Sequence, residues 1–210
     1  MRFKSAGVQR SRYEGTKQAD AILRAARALF VREGAGGFSA RRVAKEAGLS
    51  LGSVQHVFPT TEALLVAMLE SVVTSYDHRY QAMIGKLPLN ARARWEAVVE
   101  FLIKDVFDQD TRRLFFGFWA LSSHNRLANA MLKEAYAYHA GTLAAFIAAV
   151  RPDLDEARCR ATALQVAALI EGWMVFTAAG ASVASRERLR QTLREGIEAL
   201  VSAAQSQAPG

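Results

Sequence analysis

The sequence predicts an all-α protein of about nine helices, on two observations. Apolar residues recur at intervals of three and four along nearly the whole chain, which is the spacing of one face of a helix. The four prolines, at positions 59, 88, 152 and 209, fall between these stretches rather than inside them. With 210 residues, 51% of them hydrophobic, and a single cysteine, the chain can build a core without disulfides. The lone cysteine predicts a reducing compartment, the cytoplasm.

The elements follow one another with clear end signals. A basic arm over residues 1–16 precedes a first helix from Lys17 to Glu33, which the glycine-rich loop Gly34 to Gly37 ends. Beyond two short helices described below, the periodic stretches predict six more helices: Thr60–Ile84, Asn90–Phe107, Thr111–Ser122, Arg126–Val150, Asp155–Gly180 and Arg186–Ala204. The predicted domains are an N-terminal three-helix domain over 17–59, a connecting helix over 60–84, a larger helical domain over 85–205 and a tail over 206–210.

The stretch from Phe38 to Phe58 predicts a helix-turn-helix. Ser39 is a good N-cap, Gly48 ends the first short helix, and Ser50 caps the second. The small Ala44 lies where the two helices must touch, as this motif requires. The second helix should therefore turn its valines inward and its polar side chains outward.

Charge supports a nucleic-acid partner at this end of the chain. Residues 1–60 hold eleven Lys and Arg against four Asp and Glu, whereas residues 61–210 hold sixteen of each. A basic end attached to a neutral remainder is the asymmetry of a protein that binds a polyanion at one end. The outward residues of the second helix suit contacts with bases, and the arginines of the first suit contacts with phosphates. The predicted DNA-binding residues are Lys17, Ser39, Arg41, Arg42, Ser50, Leu51, Gly52, Ser53, Gln55, His56, Thr60 and Thr61.

Residues 17–69 resemble the N-terminal domain of TetR-family transcriptional regulators. The resemblance lies in Phe38-Ser39, Ala47-Gly48-Leu49-Ser50, Gly52-Ser53-Val54, Phe58 and Thr61-Glu62-Ala63-Leu64. It implies a homodimeric, ligand-released repressor that binds a double-stranded DNA operator and has a helical regulatory domain. Within that domain, Leu114–Ser123 and Glu171-Gly172-Trp173 distantly resemble the choline-sensing BetI-like subgroup.

A small-molecule effector is the second predicted partner. Pockets combine apolar walls with a few polar groups, and Glu171 lies in an otherwise apolar stretch. Burying an unpaired carboxylate is costly, so Glu171 should pair with an arginine, lie at a rim, or meet a cationic or hydroxyl-bearing ligand; we favour the arginine. The candidate ligand-binding residues are Phe101, Phe115, Phe116, Trp119, Ser123, His124, His139, Glu171 and Trp173.

The last two long helices predict a dimer. From Ala161 to Ser185 only Glu171 is charged, and a helix that is apolar on nearly all sides is buried on more than one side. A membrane span is the alternative, but a central charge and many Ala and Gly residues argue against it. The predicted interface residues are Leu164, Ala168, Val175, Leu189, Leu193, Ile197 and Leu200.

An enzyme or a helical protein-binding adaptor is the competing class of function. The sequence contains no H-E-x-x-H or G-x-G-x-x-G pattern, and its four histidines share no metal-binding interval. We therefore predict no catalytic residue, no metal and no cofactor. An adaptor would leave the helix-turn-helix and its charge unexplained.

Overall fold

A computed structural model describes residues 17–84, 90–180 and 185–205. Over these residues the backbone forms nine α-helices and one 3-10 turn, Ala35–Gly37, without a β-strand. The helices are α1 Lys17–Glu33, α2 Ala40–Ala47, α3 Leu51–Val57, α4 Thr61–Ile84, α5 Ala91–Phe107, α6 Gln109–Ser122, α7 Arg126–Val150, α8 Glu156–Ala178 and α9 Arg186–Ala203. The predicted fold class is confirmed, while the predicted arm 1–16 and tail 206–210 lie outside the described residues.

Helix α6 begins two residues earlier than the sequence predicted. Asp108 is the C-cap of α5, where its backbone N–H donates to Asp105 O at 3.2 Å, and its side chain accepts the backbone N–H of Thr111 at 2.7 Å. This bond satisfies one of the amide groups that a helix start leaves unpaired. A single aspartate thus joins two helices, and α6 starts at Gln109 rather than at Thr111.

The described residues form two compact units. The head unit contains residues 17–79 and 113–135, and the body unit contains residues 80–112 and 136–205. This division differs from the predicted domains, since most of α6 belongs to the head unit. Helices α4, α6 and α7 each contribute residues to both units.

Phe30 lies at the centre of the head unit's core. Its side chain is fully buried, and its ring centroid lies 6.0 Å from that of Phe38 and 5.3 Å from that of Phe118. Helix α6 approaches it closely at Gly117, where an added Cβ would lie 2.6 Å from Cε1 of Phe30. The absence of a side chain at Gly117 is therefore what allows α6 to pack against α1.

Gly117→Ala is expected to lower the free energy of unfolding by about 1–3 kcal/mol, because the added methyl overpacks a ring that has no room to move. Gly141→Ala in α7 is the matched control, since an added Cβ there meets nothing within 4 Å. That variant should be as stable as the parent or up to about 1 kcal/mol more stable. Urea unfolding followed by circular dichroism measures both changes. Equal stability of the two variants would contradict the close approach.

Polar bridges join α5 to α9 in the body unit. The indole N–H of Trp95 donates to Glu198 Oε1 at 3.0 Å, and Arg92 binds the other oxygen of that carboxylate at 3.0 Å. Further along α5, Glu100 forms salt bridges with Arg190 and Arg194 of α9. These contacts fix α9 along α5.

The apolar stripe of α9 faces the body unit itself. Leu189, Leu193 and Ile197 are buried within the single chain, with Leu193 and Ile197 completely inaccessible. The prediction that these three residues form the dimer interface is therefore wrong, because α9 uses them to pack against its own α5 and α8. Leu200 is half-buried, so part of its surface stays available.

Candidate nucleic-acid interface

Local capping builds the turn between α2 and α3. Ser39 Oγ accepts the N–H of Arg42 at 3.3 Å to start α2, and Ser50 Oγ accepts the N–H of Ser53 at 3.0 Å to start α3. Gly48 adopts the left-handed conformation with φ 67° and ψ 29°. Its N–H bonds to Lys45 O at 3.2 Å and the next N–H, of Leu49, reaches back to Ala44 O at 2.9 Å. This is the Schellman arrangement, which glycine favours.

The two sides of α3 are distinct. Val54 and the following Phe58 are completely buried in the head unit. Gln55, His56 and Gly52 are exposed, as predicted from the sequence. The side-chain amide of Gln55 and the imidazole of His56 can donate to or accept from the edges of bases.

Two predicted residues on α3 serve its own structure as well as its surface. Ser50 Oγ and Ser53 Oγ lie 2.8 Å apart, so each hydroxyl already has a partner. Leu51 and Ser53 are half-buried. On the exposed side of α3, the polar groups most available to a partner are therefore those of Gln55 and His56.

The basic residues near this surface differ in how free they are. Lys17 and Arg41 are exposed, and neither forms an ion pair within residues 17–84, 90–180 and 185–205. Arg42 instead binds Glu33 Oε1 through Nη2 at 2.5 Å and donates from Nη1 to Gly37 O at 2.9 Å. Arg41 can thus approach a phosphate directly, whereas Arg42 is held against the end of α1.

Thr60 caps α4, and Thr61, the first residue of that helix, contacts the start of α2. Thr60 Oγ1 accepts the N–H of Ala63 at 3.0 Å, and Thr61 Oγ1 accepts the N–H of Ala40 at 3.5 Å. Both threonines are exposed. They connect the start of α4 to the helix-turn-helix, and their outer surfaces stay available to a backbone phosphate.

In the head unit, three of the predicted ligand-binding residues form an aromatic cluster on α6. The centroid of Trp119 lies 6.1 Å from that of Phe115 and 5.5 Å from that of Phe116. Ser123 and His124, by contrast, are exposed in the turn after α6. Their side chains lie at the surface, and their assignment to a ligand site stays a prediction.

The other four predicted ligand-binding residues belong to the body unit. Phe101 packs against Tyr80 with a centroid distance of 5.0 Å, and Trp173 packs against Phe176 at 6.2 Å. Burial lowers the pKa of His139 to about 4, so its imidazole is neutral at pH 7. His139 therefore adds no positive charge to the body unit at neutral pH.

Glu171 carries the most informative charge in the body unit. Burial raises the pKa of its carboxyl group, and a hydrogen bond with Tyr136 acts in the opposite direction. The favoured arginine pair is wrong for the described part of the chain, where Glu171 forms no salt bridge. Its neighbour is a hydroxyl group, which leaves the negative charge of the carboxylate uncompensated.

Helix α8 presents an apolar face to solvent. Leu164, Val175 and Phe176 are 55%, 50% and 60% exposed, and Ala168 is also exposed. The helix is long and apolar enough to cross a membrane, with 33% of its most apolar stretch buried inside the protein. Monomeric proteins rarely expose such a patch, so a partner surface is expected to cover it.

Sequence reasoning missed four residues that the structure makes important. Phe176 extends the exposed face of α8, and a full count of that helix face would have included it. Tyr136, Glu33 and Glu46 are partners in hydrogen bonds and ion pairs whose separation in sequence carries no signal.

Within the described ranges, no three His, Cys, Asp or Glu side chains are grouped as a metal site would require.

Comparison with protein families finds two matches that together span most of the described chain. Residues 22–68 match the family of bacterial regulatory proteins named for tetR, and residues 91–202 match the C-terminal domain of BetI-type transcriptional repressors. A similar protein from Xanthobacter autotrophicus, described as an uncharacterized HTH-type transcriptional regulator in the dhlA 5' region, is 29% identical over 120 residues. That match covers 55% of this chain and 58% of the relative's length.

Solved structures share the fold over nearly their full length. A putative transcriptional regulator from Pseudomonas aeruginosa PAO1 superposes with a TM-score of 0.73 at 19% identity, covering 92% of this chain and 96% of its own. A putative regulator from Saccharomonospora viridis, solved in complex with choline, also gives 0.73, at 23% identity and with 85% and 94% covered. At these identities the likeness concerns the fold.

Proposed function

The chain belongs to the TetR family of bacterial transcriptional regulators, with a BetI-type C-terminal domain, and on that premise we propose that it is a repressor that a small-molecule effector releases from its operator. One observation carries the DNA-binding part of the proposal. The exposed side of α3, with Gln55 and His56, is held outward by the buried Val54 and Phe58. A short helix fixed in this way can enter the major groove and contact base edges.

Selection from a library of randomised duplexes tests this proposal. The full chain should enrich a palindromic duplex, because a two-fold dimer places two copies of α3 about one turn of DNA apart. The affinity for that duplex should fall steeply with salt, as expected where cations neutralise phosphates. A chain that enriches no sequence at low ionic strength is not a sequence-specific DNA-binding protein.

The proposed effector is a small organic cation. The observation that favours a cation is Glu171, a largely buried carboxylate with a hydroxyl group rather than a basic residue beside it. The choline bound by the Saccharomonospora viridis regulator makes choline the first probe to use. An effector that binds the DNA-free conformation more tightly shifts the population away from the operator.

Glu171→Gln is expected to weaken choline binding by about tenfold, since it removes the charge and keeps the shape of the side chain. The carboxylate has a raised pKa and must be ionised to attract the cation. Choline affinity should therefore fall as the pH drops through that pKa, and the fall should disappear in the variant. Isothermal titration calorimetry between pH 4 and 8 measures both effects.

The neutral isostere 3,3-dimethyl-1-butanol is the control ligand for this measurement. It has the shape of choline without the charge, so the parent protein should bind it more weakly and Glu171→Gln should leave its affinity unchanged. Equal binding of choline by the parent and the variant at every pH would remove Glu171 from the effector site.

The exposed face of α8 is the proposed dimer interface. Leu164, Ala168, Val175 and Phe176 would meet the same residues of a second copy around a two-fold axis. This arrangement also accounts for the apolar character of α8 without a membrane. A DNA partner implies the cytoplasm as the place of action, and we propose no enzymatic activity.

A further inference from the structure

Two ion pairs join the end of α1 to the two ends of α2. Glu33, the last residue of α1, binds Arg42 in the first turn of α2 at 2.5 Å. Arg32, immediately before Glu33, donates to both carboxylate oxygens of Glu46 in the last turn of α2, at 2.8 and 3.2 Å. The two α2 residues of these pairs, Arg42 and Glu46, lie about one helical turn apart, so α2 is held at two points. We name these four residues the α1–α2 clamp.

The loop between the helices is shaped around the clamp. Arg42 Nη1 also donates to Gly37 O at 2.9 Å. An added Cβ at Gly37 would lie 2.6 Å from Glu33 Cβ and 2.9 Å from Arg42 Nη1. Glycine at this position is thus required for the guanidinium to lie across the loop. The loop, the last turn of α1 and the first turn of α2 form one closed arrangement.

Both carboxylates of the clamp are committed to their arginines. The Arg42 guanidinium holds the pKa of Glu33 below its usual range, and the Arg32 guanidinium does the same for Glu46. Hydrogen bonds to a charged group favour that charged form. The side chains are partly exposed, and isolated pairs of that kind contribute little to stability. A two-point network acts mainly on geometry, because it restricts how α2 is rotated on α1.

We propose, on the basis of the DNA-binding function above, that Arg42 is a positioning residue for recognition rather than a phosphate contact. The orientation of α2 sets that of α3, because the Schellman turn at Gly48 joins the two helices without slack. The clamp therefore fixes the angle at which Gln55 and His56 meet the groove. Of the two neighbouring arginines, Arg41 is therefore the one that contacts phosphate.

The salt dependence of DNA binding separates these two roles. A residue that contacts one phosphate contributes about 0.9 to the slope of log K against log salt concentration, whereas a positioning residue contributes nothing to that slope. The probe is the duplex that the parent protein selects, and its dissociation constant is measured by fluorescence anisotropy between 50 and 300 mM NaCl. Arg41→Ala should lower the slope by about 0.9. Arg42→Ala should weaken binding about three- to tenfold at every salt concentration and leave the slope unchanged.

Glu33→Gln gives the sharpest result, because it removes a negative charge near the DNA-binding surface. Simple attraction to phosphate predicts tighter binding, whereas the clamp predicts binding weakened to the same extent as in Arg42→Ala. The double variant Glu33→Arg with Arg42→Glu keeps the net charge and restores the pair but not the donation to Gly37 O, so it should recover part of the parent affinity. Arg24→Ala on the exposed side of α1 is the control for loss of one charge and should change affinity less than about twofold.

The outcomes distinguish this proposal from the function on which it depends. A parent protein that selects no duplex overturns both. A parent protein that binds, together with tighter binding by Glu33→Gln or a lowered slope in Arg42→Ala, overturns the clamp alone. Thermal unfolding of each variant, followed by circular dichroism, shows that the head unit is folded during the comparison. Weaker binding with an unchanged slope in a folded variant supports the positioning role.

Discussion

Phe176→Glu is expected to convert the protein into a monomer and to weaken operator binding by about two orders of magnitude or more. Phe176 is the most exposed large apolar residue of the described chain, and Val175 and Leu164 continue its face along α8. In a two-fold interface each substitution acts twice, so two unpaired carboxylates would be buried opposite apolar surface. A monomer presents a single copy of α3 and loses the contribution of the second half-site.

Sedimentation velocity at micromolar concentration measures the first effect, and anisotropy with the selected palindromic duplex measures the second. Leu127→Glu is the matched control, since Leu127 is 41% exposed but lies on α7 rather than α8. That variant should remain dimeric and bind the duplex normally. If Phe176→Glu sediments as the parent does, the α8 face is not the interface.

The helix-turn-helix could be predicted from the sequence because its signals are local. Ser39 and Ser50 each cap a helix through a backbone amide three residues away, and Gly48 provides the left-handed turn. Each of these rules depends on neighbouring residues only, and so does the alternation of inward valine and outward Gln55 on α3. The fold class follows for the same reason, since helical periodicity is a local property.

The predictions that the structure corrected depend on contacts between residues that are far apart in the sequence. The stripe on α9 has the same spacing whether its leucines face their own chain or a partner, and the structure shows that Leu193 is buried within the chain. Counting charges places Arg42 with Arg41 on a basic surface, but the count does not reveal that Glu33 lies against only one of them. The partner of Glu171 could not be predicted for the same reason, because Tyr136 lies on another helix. Local rules therefore predicted the elements, and their mutual packing decided the roles.

The residues assigned to phosphates and those assigned to bases lie on different helices of the head unit. In the proposed DNA complex, Arg41 and Lys17 are the exposed cations assigned to phosphate, while the groups proposed to read bases lie on the exposed side of α3. Phosphate contacts fix register without reading sequence, and base contacts supply the discrimination. Variants on the two helices should therefore separate affinity from specificity.

Gln55→Ala is expected to relax sequence preference by about 1–3 kcal/mol at one base pair of each half-site, while binding to unrelated duplex changes little. The Gln55 side chain is exposed on α3, and its amide can form two hydrogen bonds with an adenine. Repeating the duplex selection with the variant, and measuring affinities for every single-base change of the parent's duplex, gives the preference at each position. Gln109→Ala, which removes an exposed glutamine at the start of α6, is the control and should reproduce the parent's ranking. Because Val54 and Phe58 hold α3 in place independently of Gln55, a folded variant that ranks the duplexes as the parent does would show that this side chain reads no base.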